Sequence, residues 1–227
     1  MKEILDTIPF DLDIQQISSQ FHIQTGSPYE AELLSLTHLA REKGRPKAAY
    51  RVAYISDRDG DSVKIDDIWF KSRILAHNLK SVERVFALVA TCGHELDDIF
   101  QADGDMLKEF WWDSIKNQLL EVATDFIIEH LRRKFRLGKI STMHPGSGDV
   151  NVWPIEQQKG LFALLGDTQN DLGVRLTDSF LMVPNKTISA LLFPTEKGFH
   201  SCEVCHREDC PSRRAPFNEA LWKSADH

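Results

Sequence analysis

The sequence predicts an α+β domain with flanking helices, one long central helix and a cysteine-rich C-terminal extension. Three observations predict it. VERVFALVAT (82–91) is a continuous apolar, β-branched run, the character of a buried central strand. From about Asp105 to Phe135, the residues Leu107, Phe110, Trp111, Ile115, Leu119, Val122, Phe126, Ile127 and Leu131 recur at three- and four-residue steps, a helical stripe. Beyond the last strand-like run, Cys202, Cys205 and Cys210 fall within nine residues of one another.

The elements follow in chain order. YEAELLSLTHLAREK (29–43) carries Leu33, Leu34, Leu36, Leu39 and Ala40 on a helical stripe that Gly44 and Pro46 stop. AAYRVAYI (48–55) alternates and is rich in Val, Ile and Tyr, which suits a strand. SDRDGD (56–61) is a polar turn, and SVKIDDIWF (62–70) returns as a second extended segment. Residues 72–79 read as a short helix, 82–91 as the central strand, and a further helix opens near Gly93. A helix of roughly 30 residues spans about 45 Å, which predicts a kink or break in the 105–135 stripe. GKISTMHPGSGDVNVWP (138–154) reads as a Gly/Pro-rich loop and IEQQKGLFALLG (155–166) as a helix. RLTDSFLMV (175–183) and ISALLFP (188–194) read as a β-hairpin across the turn PNKT. The division is a domain over residues 1–195 and a Cys-rich, metal-binding extension over 196–227, packed on it.

Composition narrows the function classes. The chain has 227 residues, 42% of them hydrophobic, and a formal net charge of −7. That balance speaks against a nucleic-acid surface, which needs clustered Lys and Arg; the one basic run, LRRKFRLGK (131–139), suits a helix C-terminus. No run of about 18 apolar residues suggests a membrane span. The first residues, MKEILDTIPFDLD, lack a continuous apolar h-region, so a cytoplasmic protein is expected. No Walker loop or G-x-G-x-x-G occurs, and spacing assembles no Ser-His-Asp or paired-carboxylate site.

Three stretches carry a family resemblance. GVRLTDSFLMVPNKTISALLF (173–193) is similar to the strand–turn–strand of the cobalamin-dependent methionine synthase activation domain, roughly L-T-E-S-x-x-M-x-P-x-x-S-x-S-G. Thr177, Asp178, Ser179, Met182, Pro184, Thr187 and Ser189 match that pattern or replace it closely. Upstream, MHPGSG (143–148) stands where the family carries R-x-x-P-G-Y. ALVATCGHELDDIF (87–100) resembles the T-x-G-x-E-x segment after a buried strand in stand-alone relatives. Order and spacing agree over most of residues 30–195.

The resemblance implies a twisted antiparallel sheet and docking over a corrinoid held by a partner, a corrinoid-binding protein or methyltransferase. It also implies S-adenosylmethionine binding, so that inactive cobalt(II) is reduced and remethylated. His144, Pro145, Gly146, Ser147 and Gly148 are then the candidate cofactor-binding loop. The family Arg aligns with Thr142 and the Tyr with Ser147. The Arg is expected to meet the carboxylate of S-adenosylmethionine, a bidentate contact a threonine cannot make. S-adenosylmethionine is therefore a doubtful ligand, although Pro145-Gly146 backbone can still shape a loop against one.

C-x2-C-x4-C in a reducing compartment points to metal rather than a disulfide. It offers three thiolates where zinc or a 4Fe–4S cluster usually takes four, and His206, His200 and Cys92 are candidates for the fourth. Cys92 is equally read as a small buried hydrophobe. The Cys210-Pro211 ending favours a 4Fe–4S cluster on Cys202, Cys205, Cys210 and Cys92, with zinc the alternative. C-x-x-C-H at 202–206 also spells a haem c attachment site, which is set aside because that attachment occurs outside the cytoplasm. His94 and Glu95 sit at a loop after the central strand, Trp111 and Trp112 should divide between core and surface, and Arg213 and Arg214 face solvent, an acidic partner or corrinoid side chains. The expected function is an accessory redox protein that assists reductive reactivation of a corrinoid partner. A non-catalytic corrinoid-protein binding module with structural zinc is the alternative, and a S-adenosylmethionine-binding enzyme of unrelated role the third reading.

Overall fold

The computed structural model describes residues 1–97, 99–100, 104–149, 151–211 and 213–224. Strand β1 (Lys2–Leu5) leads through α1 (Ile14–Gln20) and α2 (Pro28–Lys43) to β2 (Lys47–Asp59). Then come β3 (Ser62–Ile65), β4 (Ile68–Lys71), α3 (Arg73–Asn78), β5 (Arg84–Thr91) and α4 (Met106–Phe135). Strand β6 (Ile140–Met143), α5 (Gln158–Leu165), α6 (Thr168–Leu172), β7 (Arg175–Leu176), β8 (Met182–Val183), β9 (Thr187–Pro194) and α7 (Glu219–Ser224) complete the order.

The seven-stranded sheet runs β4-β3-β2-β5-β9-β6 with β1 beside β2, and every pairing is antiparallel. Parity along the central strands sends alternate side chains to two faces. On one face Tyr50, Val52, Phe86, Leu88, Ala190 and Leu192 meet Ala123, Ile127 and Leu131 of α4. On the other, Ala87, Val89, Leu191 and Phe193 meet Leu161, Leu164 and Leu165 of α5, and the extension adds Phe199 and Val204. A third cluster joins α2 (Leu33, Leu36, Ala40) to the first half of α4 (Trp111, Trp112, Ile115, Leu119).

Four expectations change. Helix α4 runs unbroken for 30 residues. It contains no Pro or Gly, the usual causes of a sharp kink, and it serves two clusters in succession, one with each half. Asp105 caps it by accepting from the backbone N–H of Leu107 and Lys108, at 3.0 and 3.2 Å. The hairpin of 175–183 on 188–194 does not form: β7 pairs with β8, while β9 lies inside the main sheet between β5 and β6. The ISALLFP run is apolar apart from Ser189 for that reason, most of β9 being buried on both faces. The loop 138–154 contains β6, a short strand that closes the sheet edge. Trp111 and Trp112 are both buried, because α2 and the segment around Leu96 and Phe100 enclose the start of α4.

Candidate functional site

Strand β6 pairs with β9 only as far as Met143 against Leu191. Beyond it the chain turns away and leaves the start of β9 with an open flank. His144 fills part of that gap: its Nδ1 lies 2.9 Å from the Ser189 carbonyl oxygen. A carbonyl only accepts, so Nδ1 carries the proton and Nε2 is the acceptor, 3.3 Å from Thr142 Oγ1. Burial pushes the His144 ring below its ordinary value, against the opposing effect of the Ser189 bond, so the ring is neutral near pH 7.

The loop continues through Gly146, at φ 76°, whose N–H donates to the Trp153 carbonyl at 2.8 Å. A Cβ on Gly146 would stand 2.9 Å from Ile155 Cβ, so glycine is required on both counts. Opposite the loop stands the turn at 177–181. Thr177 organises it, accepting from Phe180 N–H at its carbonyl and from Leu181 N–H at Oγ1 (both 3.0 Å). Phe180 takes the left-handed conformation, φ 63°. Gln158, at the start of α5, links the two sides: it accepts from Ser189 Oγ at 2.9 Å and donates to the Phe180 carbonyl at 3.0 Å.

Between them lies a cavity of about 650 Å³. Its walls come from His144, Pro145 and Ser147, from Ile155 and Gln158, from Thr177 and 179–183, and from Asn185, Ile188 and Ser189. Of the five candidate loop residues, His144, Pro145 and Ser147 line the cavity. Gly146 sets the turn between them, and Gly148 lies away from it, beside Cys205. Gln158, Phe180, Leu181 and Asn185 were not candidates from sequence. A Gln at the start of the largely apolar helix QKGLFALL was the one available signal.

The cysteines fall into two groups. Cys92 is fully buried in the α2–α4 cluster, its Sγ donates to the Gly93 carbonyl at 3.3 Å, and burial pushes its thiol up to about 12. Cys202, Cys205 and Cys210 are half-buried in the extension, whose Val204 enters the α5-side core. The fold therefore does not bring Cys92 to the other three. Among the described residues, no group of three or more His, Cys, Asp or Glu side chains is arranged to hold a metal ion. As arranged, these residues do not form a four-thiolate site. Arg213 organises the extension instead, donating to the carbonyls of Cys202, Cys205, Ala215 and Arg207. Arg214 N–H also points at Cys202 Sγ, 3.4 Å away. Glu95 pairs with Lys47, and His94 packs against Gly173, so neither faces the cavity.

No family model matches the chain, and no curated protein matches it. Among solved structures it matches the crystal structure of the MetH reactivation domain bound to AdoHcy, with a TM-score of 0.59 over 88% of this chain and 81% of that one. The chain has the fold of the MetH reactivation domain. Identity is 16%, so the likeness to the MetH domain is one of fold. Among the described residues, no helix is long and apolar enough to cross a membrane.

Proposed function

We propose that the chain is a docking module for a corrinoid-carrying protein or methyltransferase, and that it assists return of the partner's cobalt to its active state. The corrinoid belongs to the partner. One observation carries this reading: the loop at 144–147 and the turn at 177–183, the segments that resemble the activation domain, meet on a single cavity in a fold of the MetH reactivation type. The rim includes Leu181, 58% exposed, and an apolar side chain so placed suits a surface that a partner covers.

By the same reading the cavity stands where a small ligand would meet that partner. Its residues do not fit an adenosyl amino acid in full, because no cationic or acidic side chain among the described residues lines it. The cysteine extension acts as a buttress behind the loop, with Gly148 lying against Cys205. Cluster or zinc binding on Cys202, Cys205 and Cys210 would require the extension to re-form around the metal, against the Arg213 bonds that order it now.

The test mixes the purified chain with a cobalamin-carrying methyltransferase fragment trapped as cobalt(II). A stable complex and a faster return of methyl transfer under a chemical reductant support the reading. Separate elution with unchanged recovery overturns it.

A further inference from the structure

We infer that the cavity selects an uncharged nucleoside and rejects the zwitterionic tail of an adenosyl amino acid. The inference rests on the reading of the cavity as the ligand site and deepens it. Among the described residues, no Lys, Arg, Asp or Glu lines the cavity. Among the described residues His144 is the one titratable side chain in the lining, and its N–H is already committed to Ser189. The nearest charges stand outside the lining: Lys159 Nζ is held over the ring of the wall residue Phe180, 5.0 Å from its centre, and Asp178 is exposed. Thr142, at the position of the family Arg, bonds to His144 and is not part of the wall.

A carboxylate and an ammonium entering this space would lose hydration with no counter-charge to replace it. A neutral ligand meets no such penalty. Ile155, Met182, Val183 and Ile188 offer apolar walls, while Ser147, Ser179 and Asn185 offer neutral donors and acceptors. That combination suits a heteroaromatic base and a ribose, and a cavity of about 650 Å³ lies within the range used for ligands of that size. The neutral half of AdoHcy, without its amino-acid tail, is the chemistry that remains.

Calorimetry with 5′-methylthioadenosine and with AdoHcy tests the inference on the full chain. Methylthioadenosine should bind at least tenfold more tightly. Ser147→Arg should reduce that preference at least tenfold by supplying a cation. Ser179→Arg is the second variant; both positions are exposed, so neither is needed for the core. AdoHcy binding as tightly as methylthioadenosine, or no heat with methylthioadenosine, overturns the inference. Complex formation with the cobalamin-carrying fragment is measured in parallel without nucleoside. If it persists, only the ligand preference has failed; if it is lost, the docking reading itself has failed.

Discussion

His206 Nδ1 lies 3.1 Å from a carboxylate oxygen of Asp149. Asp149 belongs to the stretch that follows the cavity loop, and His206 to the cysteine extension, so the pair ties the extension to the site. The His206 ring also packs on Phe217 and Trp222, with centres 4.6 and 4.5 Å away.

The tie should act locally. The histidine is 52% exposed, so Asp149→Asn should lower global stability by no more than about 1 kcal/mol. Proteolysis of residues 199–217 should nevertheless accelerate. The backbone N–H of Asn151 holds the Asp149 carboxyl below its ordinary value; burial opposes this and the His206 bond adds to it. A depressed carboxyl stabilises the fold above its ordinary pKa and loses that effect as pH falls. Hydrogen exchange across 199–217 should therefore rise below about pH 4 in the native chain, and should rise less in Asp149→Asn.

Gly146→Ala should cost about 1–3 kcal/mol, through a strained positive φ and the contact with Ile155. Urea unfolding measures the loss. Ligand affinity should fall with it, because His144 and Ser147 hang on the same turn.

Glu3 ties β1 to α4. Burial alone would raise its carboxyl, but hydrogen bonds from Lys134, Tyr50 and His130 outweigh that and bring it to about 2. Its contribution is complete above the ordinary value of 4.5 and is lost as pH falls toward 2. Acid unfolding followed by tryptophan fluorescence should be flatter over that interval in Glu3→Gln than in the native chain.

The thiols should separate kinetically. In metal-free native protein Cys202, Cys205 and Cys210 should react readily with Ellman's reagent, and Cys92 only on unfolding, since it is buried and its thiol is pushed up to about 12. Cys92→Ser should leave any iron, sulfide or zinc content of freshly purified protein unchanged. A lower metal content would return Cys92 to the ligand set.

The central strand, the long helix and the loop–turn pair were legible in the sequence because each rests on local pattern. VFALVA is apolar at every position, and the α4 stripe holds its period to Leu131. Strand pairing was not legible in this way. RLTDSFLMV and ISALLFP look like a hairpin locally, but β9 is drawn between β5 and β6, contacts whose partners lie far away in sequence. Strand β1 escaped notice because KEIL is short and gains its place only against β2. At the site, His144 and Ser147 were visible from the loop pattern, whereas Gln158 sits among the polar residues Gln157 and Lys159 at the start of a helix, and only the fold turns it inward. The separation of Cys92 from the other thiols is likewise a tertiary fact that cysteine spacing does not carry.

Docking on a corrinoid partner is decided by titrating a cobalamin-carrying methyltransferase fragment, held as cobalt(II), with this chain and following both the corrinoid absorption and the mass of the complex. A saturable one-to-one complex with an altered corrinoid spectrum is expected, weakened at least tenfold by Leu181→Asp at the cavity rim. An unchanged spectrum with no complex at any concentration of folded chain would contradict it.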